Sequence, residues 1–357
     1  MSKLAEHIKA LILAEGPMGL DRYMLECLAH PSFGYYMTEE PFGVSGDFTT
    51  APEISQMFGE LIALWLAEQW LLMGQPTNTK IVEIGPGRGT LMADALRALA
   101  SVPTMLENTS VHLVETSPRL KSIQAETLRA RVGIQWHNHI NEVPEGPMLL
   151  VANELFDALP IRQFIKTEQG WAERHVGLSD DNAFEWQDIA CTAPPHIAAP
   201  TAQVGDVIEV SPASSSLMAD ISRRIKFQGG AGLIIDYGYY ENATADTLQA
   251  LKDHTYSNPL ENLGSSDLTA HVNFVPLKNI AETTGIHVFG PVPQGVFLSN
   301  LGIEARANQL AAASPEKADD ITTAKERLVS FEQMGKLFKV MGLAPQERHA
   351  SGFEGRS

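Results

Sequence analysis

The chain has 357 residues, 44% of them apolar, and 26 Lys and Arg against 43 Asp and Glu leave a formal charge of −17. That length predicts one enlarged domain or a core with added lobes, and the ordinary apolar share excludes wholesale disorder. The acidic balance argues against nucleic acid as a partner, and two distant cysteines, Cys27 and Cys191, exclude a disulfide framework and a four-ligand zinc site.

No apolar run reaches the roughly 20 residues that span a bilayer, so no membrane insertion is expected. Met1–Leu13 predicts a short amphipathic helix with Leu4, Ile8, Leu11 and Ile12 on its apolar face. It has neither a secretory cleavage site nor the composition of a transit peptide, which points to a bacterial cytoplasmic protein. Residues 33–50, FGYYMTEEPFGVSGDFTT, have no helical period and predict a glycine-rich lid loop. Thr50 and Glu53 stand at capping-box spacing around Pro52. The stripe Ile54, Met57, Phe58, Leu61, Ile62, Trp65 and Trp70 then predicts one helix from Pro52 to Met73.

From Lys80 the pattern changes. Strands are predicted at Lys80–Ile84, Ser110–Glu115, Gly133–His137, Met148–Asn153 and Ala231–Tyr237, with helices at Thr90–Ala100 and Pro118–Arg131 and a brief link near Ile140–Val143. This rhythm predicts an α/β fold, a Rossmann-like parallel sheet with helices on both faces. Right-handed crossovers place every strand's carboxyl end on one edge. Ile161–Thr167 and Trp171–Val176 read as a hairpin, followed by a short strand Val207–Val210 and a helix through Ile225. Beyond a polar, loop-rich stretch after Tyr237, Val288–Leu298 predicts a late strand pair, and Ile303 to Phe338 reads as mostly helical. The chain divides into a helical segment with the lid loop (1–78), a core (79–300) with an insertion at 158–228, and a helical carboxyl segment (301–357).

Residues 81–90 read Ile-Val-Glu-Ile-Gly-Pro-Gly-Arg-Gly-Thr, a buried strand running into three alternating glycines and a helix. Side chains at those glycines would collide with a ligand laid across the turn, and the helix amino terminus offers free N–H groups. A dinucleotide fingerprint would need Gly or Ala at position 90, where Thr90 stands, so a nicotinamide dehydrogenase is disfavoured. E-x-G-x-G-x-G is the form of class I methyltransferases, whose cofactor is S-adenosyl-L-methionine; a tight turn without a ligand is the bland alternative. His112-Leu-Val-Glu115 ends the second strand in an acid suited to ribose hydroxyls, or to capping the helix near Pro118. Asn153 and Glu154 close the fourth. The cofactor-binding candidates are Glu83, Gly85, Pro86, Gly87, Gly89, Glu115 and Asn153.

Longer segments carry a resemblance. They are Gly46-Asp-Phe-Thr-Thr-Ala-Pro-Glu-Ile-Ser-Gln56, Glu83 to Thr90, His112 to Glu115, Asn153-Glu-Leu-Phe-Asp-Ala-Leu-Pro160, Gly229 to Gly238 and Asp267-Leu-Thr-Ala270. From about Gly34 to Phe338 the chain resembles the MidA-like methyltransferases, a family that includes a mitochondrial complex I assembly factor methylating an arginine of a complex I core subunit. The resemblance implies a protein substrate, in a bacterium a quinone-module subunit of complex I, and a homodimer is open to such a chain. Two departures touch the acceptor side. Asn153 stands where mitochondrial members have His, and Asp-Leu-Thr-Ala-His271-Val-Asn273-Phe where they read DLTADVDF.

Arginine is a difficult nucleophile, so carboxylates that grip its spare N–H groups would orient the reacting nitrogen and stabilise its charge. The catalytic candidates are Glu154, Asp157, Asp236 and, from the lid loop, Asp47. Helix capping or a surface salt bridge is the plainer role for Glu154 and Asp157, and a capping box for Glu53. Arg88 either caps the cofactor turn or faces solvent. His254 and His271 have no ligand partner at helical spacing, and no metal is expected. A methyltransferase for another protein or a small molecule, or a cofactor-binding assembly factor without catalysis, are the alternatives.

Overall fold

The computed structural model describes residues 2–39, 49–129, 133–192, 202–241 and 244–354. Seven strands form the central layer, and only these are numbered: β1 (Thr79–Ile84), β2 (Thr109–Val114), β3 (Ile134–His137), β4 (Met148–Asn153), β5 (Gly230–Tyr239), β6 (His287–Pro293) and β7 (Phe338–Ala344). They lie in the order β3–β2–β1–β4–β5–β7–β6, all parallel except β7, which runs antiparallel to both neighbours. A two-residue strand, Val272–Asn273, extends the end of β5.

The helices, in chain order, are α1 (Lys3–Glu15), α2 (Leu20–Ala29), α3 (Tyr35–Thr38), α4 (Ala51–Ile54), α5 (Gln56–Leu72), α6 (Thr90–Leu99), α7 (Pro118–Thr127), α8 (Pro212–Gln228) and α9 (Phe274–Thr284), before a helical stretch from Gln294. Strands β1 and β4 are buried along their whole length, as near-continuous apolar runs must be in a sheet covered on both faces. Side chains alternate between two cores. Ile81, Leu149, Val151 and Ile235 meet Phe58, Trp65 and Trp70 of α5 and Leu91 of α6. Val82, Leu150, Ala152 and Ile234 meet Met218 and Ile221 of α8 and Phe274 and Leu277 of α9. Truncating an anchor such as Phe58 to Ala would cost about 3–5 kcal/mol.

The insertion forms a second, antiparallel sheet. The predicted hairpin is present as Arg162–Thr167 and Gly170–Leu178, with Val207–Val210 on its outer side. Phe184–Cys191, which the sequence reading missed, pairs with the second hairpin strand from Trp171 to Leu178; none of its residues is buried and Asp188, Ile189 and Ala190 are exposed in a row, so it carries little apolar signal. Met18 and Gly19 pair with Val176 and His175, and α1 and α2 cover this sheet with Ile8, Leu20, Tyr23 and Met24. The amino terminus and the insertion thus make one lobe.

Four expectations need correction. The helix expected from Pro52 to Met73 is two helices broken at Ser55, which adopts φ −160° and caps α5 by accepting the Met57 N–H at 3.2 Å. The strand pair expected at Val288–Leu298 is the single strand β6 followed by a helix, Gln294–Asn300. The loop-rich stretch after Tyr237 holds a small sheet (Gln249–Lys252, Thr255–Ser257, Asp267–Thr269) and α9. The carboxyl segment is helical as expected until β7, whose residues 338–344 complete the central sheet rather than stand apart from it.

Candidate functional site

Strand register builds the site. Ile84 lies opposite Val114 and Ala152, and Asn153 opposite Ile235, so Gly85, Glu115, Glu154 and Asp236 all arrive at one edge. At the turn after β1, Gly85, Gly87 and Gly89 take φ of +68°, +52° and +83°, a region costly for any residue with a Cβ. A Cβ on Gly85 would also stand 2.8 Å from Leu155 Cδ1. The turn opens onto a cavity of about 200 Å³ lined by Tyr36, Gly85, Gly87, Glu115, Glu154 and Leu155, among others. A smaller recess of about 30 Å³ adjoins it, walled by Glu53, Glu83, Pro86, Thr90, Asn153 and Glu154.

On the β1–β2 side, the Glu115 carboxylate accepts the Ser117 N–H at 2.8 Å and Gln124 Nε2 at 3.1 Å. Gln124 Nε2 also donates to the Gly87 carbonyl at 2.8 Å, tying the acid to the turn. Glu115 thus braces the start of α7 and also lines the cavity. Burial raises its carboxyl above the ordinary range. Glu83 is 3% exposed, and burial pushes it up to about 8. Glu83 Oε2 and Asn153 Oδ1 are buried without a hydrogen-bond partner. Two orphaned acceptors beside a turn of bare backbone fit a ligand with an ammonium group.

On the β4–β5 side, Glu154 has φ +50°, rare for a residue with a side chain. Its N–H binds the Ile235 carbonyl at 2.9 Å, and its Oε1 accepts the Ala51 N–H at 3.0 Å and Asn153 Nδ2 at 3.3 Å. Burial, with a smaller push from Asp157, brings its carboxyl up to about 7. Asp157 is 6% exposed, its Oδ1 lacks a partner, and burial raises it to about 6.

Asp236 lies behind Glu154 and Asp157. It is fully buried and lines neither cavity. Its Oδ2 accepts the N–H groups of Leu155, Phe156 and Asp157 at 3.1, 2.9 and 3.3 Å, and its Oδ1 that of Tyr237 at 2.9 Å. These bonds fix the loop that carries Glu154 and Asp157. Asp47 lies outside the described residues.

Three residues at the site were not singled out for these contacts. Tyr36 lines the larger cavity and donates its phenol to Asp267 Oδ1 and Oδ2 at 3.1 and 3.0 Å. Both stand in distinctive sequence, the aromatic FGYY run and the DLTA segment, but nothing local says that they meet. Glu53 accepts the Thr90 hydroxyl instead of closing a capping box, and Thr50 makes no side-chain cap. His254 sits on an exposed turn, and His271 packs edge-on to Tyr237 at 5.3 Å. His7, Glu26 and His30 bring ligand atoms within 4.8 Å of one another. His30 Nδ1 also accepts the Ser32 and Phe33 N–H groups at 3.1 and 3.2 Å. Among the described residues no helix is long and apolar enough to cross a membrane.

A sheet with its antiparallel strand between the fifth and sixth, a glycine turn after β1 and an acid after β2 define a class I methyltransferase site. Residues 61–292 match the family described as "Putative S-adenosyl-L-methionine-dependent methyltransferase". The chain is 37% identical to "Protein arginine methyltransferase NDUFAF7 homolog, mitochondrial" of Drosophila melanogaster, over 96% of this chain and 85% of that one. It is 34% identical to "Protein arginine methyltransferase NDUFAF7, mitochondrial" of Homo sapiens, over 99% and 86%. A Burkholderia thailandensis structure bound to S-adenosyl-homocysteine superposes with a TM-score of 0.84 at 27% identity, covering 99% of this chain and 92% of that one. The chain belongs to this S-adenosyl-L-methionine-dependent methyltransferase family, as its motifs implied, and S-adenosyl-L-methionine is its cofactor.

Proposed function

We propose that this enzyme methylates a guanidinium nitrogen of a protein arginine. One observation carries the reading. Glu154 and Asp157 gather beside the cofactor turn, close enough for their charges to interact, and among the described residues no ion pair joins either to a Lys or Arg; Arg327 is only the smallest influence on Glu154. Buried carboxylates without a counter-charge are costly, and a cationic side chain from the substrate would supply one. The relatives named as protein arginine methyltransferases support the same substrate.

In this reading the backbone at Gly85, Pro86, Gly87 and Gly89 takes the methionine part of the cofactor, Glu83 and Asn153 accept from its ammonium, and Glu115 accepts from its ribose. S-adenosyl-L-methionine supplies an electrophilic methyl, which an in-line nitrogen lone pair can take while the sulfur–carbon bond breaks. Glu154 grips the guanidinium and receives the proton that the nitrogen sheds, a role suited to a carboxyl near neutrality. Asp157 holds the remaining N–H groups. The acceptor would be a complex I core subunit of the quinone module, as the MidA-like resemblance implies. Labelled methyl transfer to that purified subunit, mapped by mass spectrometry, should mark an arginine. A methyl on lysine or histidine, or on no protein at all, rejects the proposal.

A further inference from the structure

Tyr36 is anchored at both ends. Its carbonyl accepts the Ser117 hydroxyl at 2.8 Å, and the Ser117 N–H in turn donates to Glu115. Its phenol donates to both oxygens of Asp267, which is 4% exposed at the start of the strand Asp267–Thr269. Tyr36 therefore reaches from the strand end that carries Glu115 to the small sheet beside Asp157, its ring edge-on to that of Tyr35 at 5.2 Å, and it lines the cavity that Glu154 also lines. A tyrosine placed only to satisfy a buried carboxylate would have no reason to line that cavity. A phenol that donates to a carboxylate becomes richer in electrons, and a ring face so enriched attracts cations. A planar guanidinium can lie flat on such a face and still present its N–H edge to carboxylates, whereas a compact, strongly hydrated ammonium gains less.

We propose that Tyr36, clamped by Asp267, is the acceptor-side platform on which a guanidinium stacks, and that it selects guanidinium over an ammonium of equal charge. The proposal rests on the arginine reading for the identity of the acceptor.

The test uses the full chain saturated with S-adenosylhomocysteine and titrated with butylguanidinium and with butylammonium, followed by NMR. The wild type should prefer butylguanidinium by ~5-fold, a cation–π increment of ordinary size. Tyr36→Leu should erase that preference, with a single cooperative thermal transition certifying the fold. Tyr36→Phe, which keeps the ring and loses the clamp, and Asp267→Asn, which keeps an acceptor and loses the charge, should each fall between. Equal binding of both cations by the wild type, or binding of neither, overturns the platform. So does a folded Tyr36→Leu variant that keeps its preference. Methyl transfer to lysine with the preference intact would refute the arginine reading alone. Transfer to arginine without the preference would refute the platform alone.

Discussion

The carboxyl edge of the central sheet is built in two different ways. The β1–β2 half presents backbone, with glycines held at positive φ, one bracing acid and few side chains. The β4–β5 half presents side chains, with Glu154 and Asp157 carried on a loop whose N–H groups are collected by Asp236. A backbone cradle is compact in sequence, because consecutive residues make it. A side-chain cluster is assembled from elements far apart. Substitutions should therefore separate the halves, with cofactor affinity following the first and methyl transfer the second.

The largest effect should come from Gly87→Val. A β-branched residue at φ +52° costs about 1–3 kcal/mol in strain, and Gly87 lines both cavities. S-adenosylhomocysteine affinity should fall by ~100-fold or more, measured by calorimetry. Gly16→Ala is the control. Gly16 has φ +91° but nothing within 4 Å of the added carbon, so its cost should appear in stability and leave the cofactor untouched. Equal cofactor affinity in wild type and Gly87→Val would end the idea of a backbone cradle.

Glu154→Gln comes next and acts on the other half. The amide still accepts the Ala51 N–H, so cofactor affinity should hold, while kcat falls by ~10²–10³, the range for a lost general base. The wild-type rate should climb with pH through about 7 and the variant's should not. Stability should run the opposite way. Burial lifts Glu154 from 4.5 to about 7 and Asp157 from 3.8 to about 6, so the folded chain keeps protons that the unfolded chain has released. That contribution is complete below about pH 4 and drains away as pH rises to about 7, and for Glu154 it amounts to at most about 3 kcal/mol. The thermal midpoint without acceptor should fall between pH 5 and 8, less steeply in Glu154→Gln. Parallel slopes would mean that Glu154 is ionised throughout.

How much of this was visible in the residues follows the same divide. Strands β1 to β5, the glycine turn, Glu115 and Glu154 were legible because each is a local pattern: an apolar run, a spacing, a strand end. β7 was hidden because a strand that closes the sheet from the far end of the chain looks, locally, like the end of a helical region. The Tyr36–Asp267 contact joins residues 231 positions apart, and no period or spacing encodes it. Ser55 was misread for a different reason. The apolar stripe runs unbroken through Ile54 and Met57, and the break depends on a serine capping its own helix. At Asp236 the residues alone leave two roles open, because a carboxylate at a strand end is ambiguous until its hydrogen bonds are counted.

Asp236→Asn tests that distinction. The amide can keep one oxygen toward Leu155, Phe156 and Asp157, but it must then aim an NH₂ at the Tyr237 N–H, leaving that buried donor unpaired at about 1–3 kcal/mol. The expected result is a thermal midpoint lower by about 5 °C, with a loss of kcat well short of that in Glu154→Gln. A loss of rate matching Glu154→Gln with stability intact would return Asp236 to the reacting groups.

The smallest effect should come from Thr90→Val, and it asks whether the two halves communicate. Helix α4 touches both: Ala51 donates to Glu154 on the acceptor side, and Glu53 accepts from Thr90 at the first turn of α6 on the cofactor side. Valine matches threonine in shape and removes only the hydroxyl, so the Glu53 carboxylate loses one donor but keeps its place near the positive end of α6. The cost should be about 1 kcal/mol. If α4 ties the halves together, that cost appears twice, as a cofactor affinity ~3–5-fold weaker and as a kcat reduced by a similar factor, because a loosened α4 no longer holds Glu154 through Ala51. If only cofactor affinity changes, the halves are independent and Glu53 serves the recess alone.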